Sequence, residues 1–358
     1  MPTSWSNWLR MSSDERGGGP GEGIRAMVLT RMWPTSERPY DGTFVKDEVD
    51  ALRRRGVDCH VVVEGGPGGL GCYIRLWRKM RRALKASHFD VLHAHYGTTG
   101  WVGRLQWTAP LVVTFHGSDL MGGRLTGKGK ESVMGYLEMA LNWTLARVIP
   151  NTIVVSSTML RRTPVARTRV IAAGIDLTRF RPCNPDKARQ ALGIRDDHPV
   201  VLFVANPQFA NKRYDLARDA VKIARRSIPD LELVTVTGRP HVELPLWMNA
   251  ADVLVLTSKS EGSPMVIKEA LACNLPVVSV DVGDVAQRLK GVSGCRLVEG
   301  TPSVIAVGLI DVIKGSEPCN GRDFVTDLSN DASADKVIDA YRTAIGLTGA
   351  GHREAVHA

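Results

Sequence analysis

Eleven short runs rich in β-branched and aliphatic residues recur along the chain, separated by segments with helical spacing. Such alternation restricts the chain to parallel sheets covered by helices on both faces. In the first half the runs are IRAMVLT (24–30), VDCHVVV (57–63), DVLHAH (90–95), PLVVTFH (110–116), VIPNTIVV (148–155) and RVIAAG (169–174). In the second half they are PVVLFVA (199–205), LELVTVTG (231–238), DVLVLTS (252–258), PVVSVD (276–281) and GCRLVEG (294–300). Between the two sets lies RFRPCNPDKARQALGIRDDHP, which carries three prolines and reads as a linker with the boundary near residues 182–199.

A length of 358 residues suits two cores better than one. The expected fold is therefore α/β, with two facing doubly wound (Rossmann-like) domains over 24–183 and 184–332. In such sheets ligands sit beyond the C-terminal strand ends, here in an interdomain crevice. The pattern ADKVIDAYRTAIG (334–346) has an apolar stripe at Val337, Ile338, Tyr341, Ala344 and Ile345. A helix within 333–358 is expected to cross back towards the first domain before a terminal tail. Residues 1–23 lack a signal-peptide core and end in GGGPGEG, and so read as a disordered tail.

No apolar run approaches the roughly 18 residues of a spanning helix. The six cysteines lie apart, without C-x-x-C or zinc-type spacing, as expected of reduced thiols in the cytoplasm. The net charge of +9 is uneven: residues 1–180 hold 25 Lys+Arg against 15 Asp+Glu, and residues 181–358 hold 21 against 22. A basic first half suits an anionic partner or reflects composition alone.

The stretch SEGSPMVIKEALACNLP (260–276) carries the most chemistry. Ser263 suits an N-cap and Pro264 the first helical position, while Asn274 tolerates a left-handed stop before Pro276. The N-terminus of that helix would offer unpaired N–H groups and a positive dipole end to an anion such as a diphosphate. Glu269, one to two turns in, would accept two hydrogen bonds from a vicinal diol such as a ribose. The plainer alternative is an ordinary helix start with Glu269 in a surface ion pair.

EGSPMVIKEALACNLPVVSVDVGDV resembles the donor-site signature of retaining glycosyltransferases of family 4, which have the GT-B fold. The resemblance extends through SERPYDGTFVKDEVDALRRRG, FDVLHAHYG, LVVTFHGSDL, VIAAGIDLTRFRP, PVVLFVANPQFANKRYDLA and LPLWMNAADVLVLTSKSEG, and covers about residues 24–345. It implies that Glu269 binds the nucleotide ribose and that Glu261 and His116 contact the donor sugar. It further implies that backbone amides of the stretch Gly262, Ser263, Pro264, Met265 and Val266 hold sugar hydroxyls and phosphate. Lys212 matches the lysine that neutralises the departing diphosphate, with Arg213 beside it, and Gly42 lets backbone approach the phosphates. The chain departs from the pattern at Asn206, where an arginine is usual, so the second phosphate cation falls to Arg213 or Arg239. Asn274 replaces the usual glycine and keeps the left-handed turn.

The resemblance implies a metal-independent, retaining hexosyltransferase with no cofactor, using a nucleoside diphosphate sugar donor and a glycan or lipid-linked acceptor bound by the first domain. Polysaccharide or cell-envelope glycoconjugate synthesis is the setting expected, in the cytoplasm or on the inner membrane face. No nucleic acid partner is expected. The segment YIRLWRKMRRALK (73–85) places Tyr73, Ile74, Trp77, Met80 and Leu84 on one face and six cations in eleven residues on the other. It would lie either on an anionic membrane surface or with its stripe in the core. Two rival readings are a nucleotide-sugar epimerase of the same fold, for which no convincing acid/base carboxylates stand out, and a catalytically silent membrane-associated scaffold.

Overall fold

The computed structural model describes residues 19–65, 69–121, 133–163 and 168–347. The first lobe runs β1 (Arg25–Thr30), α1 (Thr43–Arg54), β2 (Asp58–Val63), α2 (Leu70–Ala86), β3 (Val91–His95), α3 (Gly97–Gly103), β4 (Leu111–Phe115), α4 (Ser118–Met121), α5 (Val133–Val148), β5 (Asn151–Val154) and β6 (Thr168–Val170). The second runs α6 (Pro185–Leu192), β7 (Val200–Val204), α7 (Tyr214–Ala224), β8 (Glu232–Val236), α8 (Leu244–Ala250), β9 (Val253–Leu256), α9 (Met265–Ala272), β10 (Val277–Val280), α10 (Val285–Leu289), β11 (Arg296–Val298) and α11 (Pro302–Lys314), followed by α12 (Asn330–Ala344).

Both sheets are wholly parallel, in the orders β2-β1-β3-β4-β5-β6 and β11-β10-β9-β7-β8. Each of the eleven predicted runs overlaps one strand. The largest differences lie at VIPNTIVV, where α5 continues through Val148, and at RVIAAG, where β6 ends at Val170 and the chain departs to bridge Ile175 with Ser329. Strands β3 and β4 are buried at every position, as a sheet covered on both faces requires.

Helix α12 packs on α1. Val337, Ile338 and Tyr341 enter the first lobe's core beside Val45, Val49 and Leu52, and Arg54 and Arg55 pair with Asp331 and Asp335 at 2.8 and 2.5 Å.

Two expectations need correction, and one open alternative is decided. The supposed linker contains α6, capped by Asn184, whose Oδ1 accepts the Lys187 N–H at 3.0 Å, and ended by left-handed Gly193. Arg189 secures this helix to the second lobe through Asp252 at 2.7 Å. Residues 19–23 of the presumed tail form a turn against the first lobe, with the Gly21 N–H donating to the Arg55 carbonyl at 2.9 Å; residues 1–18 and 348–358 lie outside the described residues. The α2 stripe faces the core: Met80 is buried, Tyr73, Trp77 and Leu84 pack against the cluster around it, and Ile74 alone of the five stays exposed. Of the basic residues, Arg75 and Lys79 both pair with Glu64, at 2.5 and 2.7 Å.

Candidate functional site

In the second lobe the chain reverses between β7 and β9, so the loops leaving these neighbouring strands lie side by side at a crossover, where open α/β sheets bind ligands. The loop after β7 carries Lys212 and the one after β9 carries Glu261. They are laced together: the Lys259 N–H donates to the Asn211 carbonyl at 2.8 Å, Asn211 Nδ2 to the Ser260 carbonyl at 2.9 Å, and the Thr257 hydroxyl to the Lys212 carbonyl at 2.9 Å. Across this junction Lys212 Nζ sits 2.6 Å from Glu261 Oε1.

Helix α9 opens beside the same loops. It starts at Met265 with Pro264 as its cap, one residue later than the sequence suggested. Ser263 is not the cap, because its hydroxyl donates to Asp284 Oδ2 at 2.9 Å, a buried carboxylate that also receives Arg288 Nε at 2.9 Å. Among the described residues, the N–H groups of Gly262, Ser263, Met265 and Val266 have no hydrogen-bond acceptor. The helix ends as expected, with Asn274 left-handed at φ 55° and its side chain accepting the Arg322 N–H.

A cavity of about 260 Å³ lies over this opening. Lys212, Glu261, Pro264, Met265, Val266 and Glu269 line it, and Thr43, Phe44 and Asp47 of α1 close it from the first lobe. Gly42, at φ 64°, caps the start of α1; a Cβ there would stand 2.3 Å from the Met32 carbonyl carbon, so only glycine fits the turn. Arg213 does not line the cavity: its backbone is left-handed ahead of α7 and its Nε lies 3.4 Å from Asp215. Arg239 is exposed and also absent from the lining.

Glu269 is almost wholly buried and accepts from His241 Nε2 at 2.7 Å. Burial opposes a charge on His241, but Glu269 and Asp47 outweigh it and raise its pKa above the ordinary value. Arg179 reaches both lobes, with Nη1 3.3 Å from His241 Nδ1 and 3.4 Å from Asp47. His241, Arg179 and Asp47 were not anticipated: each is an unremarkable residue in its own segment and gains meaning only from the other two.

His116 closes β4. Its backbone N–H and that of Gly117 donate to Asp119 Oδ1, both at 3.0 Å, while the Gly97 N–H donates to Oδ2 at 3.2 Å. Burial nonetheless pushes Asp119 up to about 6. The His116 ring is not in the cavity wall itself but adjoins Phe44, which is, with centroids 4.9 Å apart. Burial, then His95 and Lys268, hold its pKa well below the usual value, so the ring is neutral. Here the lobes meet backbone to backbone: a Cβ on Gly117 would stand 2.6 Å from Gly262 Cα.

Glu48, His93 and His95, behind His116, bring ligand-type atoms within 4.8 Å of one another. Both ring nitrogens of His93 already face hydroxyls, Tyr341 Oη at 2.8 Å and Thr114 Oγ1 at 2.7 Å, so His93 has no nitrogen free for a metal and the trio is not an open metal centre.

The profile of Glycosyltransferase Family 4 matches residues 22–179, and that of the Glycosyl transferases group 1 matches residues 218–314. Together they span both lobes. The chain is a GT-B glycosyltransferase of family 4. This glycosyltransferase is 26% identical to D-inositol 3-phosphate glycosyltransferase of Mycobacterium marinum, over 93% of its own chain and 80% of the relative. It is 29% identical to the enzyme of that name from Geodermatophilus obscurus, covering 75% and 70% of the two chains. Among solved structures it superimposes on sucrose-phosphate synthase of Thermosynechococcus elongatus with a TM-score of 0.71 at 18% identity, covering 91% of this chain and 100% of the other. Anabaena HepE, solved in complex with UDP and glucose, gives 0.59 at 17% identity, covering 90% and 98%. Among the described residues no helix is long and apolar enough to cross a membrane.

Proposed function

We propose that this glycosyltransferase moves a hexose-type sugar, with retention and without a metal, from a nucleoside diphosphate sugar to a glycan or lipid-linked acceptor. The observation that carries the reading is the convergence on one cavity of the unpaired α9 amides, the Lys212 ammonium and the buried Glu269 carboxylate. Amides and ammonium suit a diphosphate that gains charge as it departs. The carboxylate suits a ribose diol. Lys212 supplies one phosphate cation and His241, in place of Arg213 or Arg239, the second. Glu261 and His116 contact the donor sugar. A fixed lysine and a helix N-terminus do the electrostatic work that a divalent cation would do elsewhere.

A uridine nucleotide is the favoured donor, because the Anabaena neighbour was solved with UDP. The curated relatives favour a second acceptor class, a small polyol phosphate, which would draw on the basic first lobe. The setting is cytoplasmic; if the acceptor is lipid-linked, the outward cations Arg78, Arg81, Arg82 and Lys85 of α2 face the anionic leaflet. The cavity is smaller than the roughly 300–1,000 Å³ of a typical small-molecule site, so entry of a whole nucleotide sugar requires the lobes to part. Thermal stabilisation by UDP-, GDP- and ADP-sugars tests the reading: one series should raise the melting temperature at millimolar concentration. Absence of any shift across the panel would defeat it.

A further inference from the structure

Strand β3 sends two histidines from the same face into a layer with no solvent exposure. The rings of His93 and His95 lie 4.4 Å apart and both approach Glu48 Oε1, at 3.6 and 3.4 Å, but their other partners differ. His93 is engaged by Tyr341 and Thr114. His95 turns the other way: its Nδ1 is 3.1 Å from His116 Nε2, and its Nε2 is 3.4 Å from Glu48 Oε1. Neither that Nε2 nor Glu48 Oε1 makes a hydrogen bond among the described residues, although the two lie 3.4 Å apart. Leaving a buried donor or acceptor unmatched costs about 1–3 kcal/mol, so each is the natural partner of the other.

The protons along this line can be assigned by elimination. Burial opposes a charge on Glu48, but His95 and His93 outweigh it and hold its carboxyl below the usual range. An ionised carboxylate only accepts, so His95 Nε2 must present its hydrogen to Glu48. With a single N–H on the ring, directed at Glu48, His95 Nδ1 is left as an acceptor. The nitrogen facing it, His116 Nε2, must then be the donor. His116 Nδ1 is left bare.

We infer that Glu48, acting through His95, is a positioning residue that fixes the proton of His116 on Nε2 and leaves Nδ1 as a hydrogen-bond acceptor for a hydroxyl of the donor sugar. The last part rests on the proposed transfer reaction; the tautomer does not. A fixed acceptor would hold one orientation of the sugar. With Glu48 gone, either nitrogen can carry the proton, and part of the population would present a donor where an acceptor is needed.

Nitrogen-15 spectra of the histidine rings in the full chain without substrate, with His116 assigned by comparison with His116→Asn, decide the matter. The expected wild-type tautomer is Nε2–H with bare Nδ1. Glu48→Gln keeps a carbonyl oxygen to accept from His95 and should keep that tautomer. Glu48→Leu fills a similar volume without an acceptor; it should give a mixture of tautomers and lower turnover on the order of tenfold, the size of effect that partners orienting a functional histidine have. A wild-type Nδ1–H tautomer would overturn the inference, as would identical ring spectra for the Gln and Leu variants. So would one equivalent of zinc retained after dialysis and lost in His95→Asn. Should the Leu variant not fold, the wild-type tautomer decides alone. The predicted tautomer in a protein that binds no nucleotide sugar would reject the transferase reading and leave the proton assignment standing.

Discussion

Removing the Glu269 carboxylate tests the ribose assignment most directly. In the free protein Oε1 is held by His241 at 2.7 Å, while Oε2 makes no hydrogen bond among the described residues. A ribose diol can therefore add bonds at Oε2 without displacing His241. Hydrogen bonds to a charged group contribute about 1.5–3 kcal/mol, so Glu269→Ala should weaken UDP binding roughly 13- to 160-fold. Loss of the carboxylate also releases His241, which lines the same cavity and whose pKa, against burial, is raised by Glu269 first and then by Asp47. Pyrophosphate, which has no ribose, separates these effects. Isothermal titration with UDP and with pyrophosphate should show a large loss for the first and, at most, the smaller His241 contribution for the second. A UDP affinity within about twofold of wild type in a folded variant, or an equal loss for both ligands, would refute the assignment.

Lys268 lies in α9 between the two glutamates, fully buried, with Nζ donating to the Ala173 carbonyl at 3.0 Å, and burial pushes its pKa down to about 8 from 10.5. Between these values the unfolded chain still holds the proton that the folded chain has released, so stability rises with pH by up to about 1.4 kcal/mol per unit and is lost again as pH falls through 8. Urea denaturation of wild type and Lys268→Met at pH 7.5 and 9.5 should show this gain only in the wild type; parallel changes would rule it out. Gly117→Ala, at φ 112°, would press a methyl to 2.6 Å from Gly262 Cα. It should hold the lobes apart, increase the radius of gyration in solution scattering, abolish transfer and lower the melting temperature, since alanine is strained at that positive φ, whereas unchanged scattering and activity would remove the lobe contact from the account.

The legible parts of the site are those where backbone supplies the chemistry. Apolar runs place β9, and an Asn-Leu-Pro stop places the end of α9, so the position of its free amides follows from rules that act over fewer than twenty residues. Even the error at Ser263 is local in extent, because it moves the helix start by one residue; its cause is remote, since Asp284, twenty-one positions away, takes the hydroxyl. The C-terminal pattern at Val337, Ile338 and Tyr341 was readable as a stripe that needs a partner for the same reason: amphipathic spacing is local. Arg179, His241, Glu269 and Asp47 are the opposite case. They come from four segments up to 222 residues apart, and no spacing within any one of them signals a charge network across two lobes. The histidines of VLHAH show why the limit is physical. A strand pattern puts His93 and His95 on one face, but whether that face meets water, a metal or a carboxylate depends on Glu48 of α1, and α1 reaches them only because β1 and β3 are neighbours in the sheet. Their chemistry belongs to the crossover connection, and it exists only once the sheet has formed.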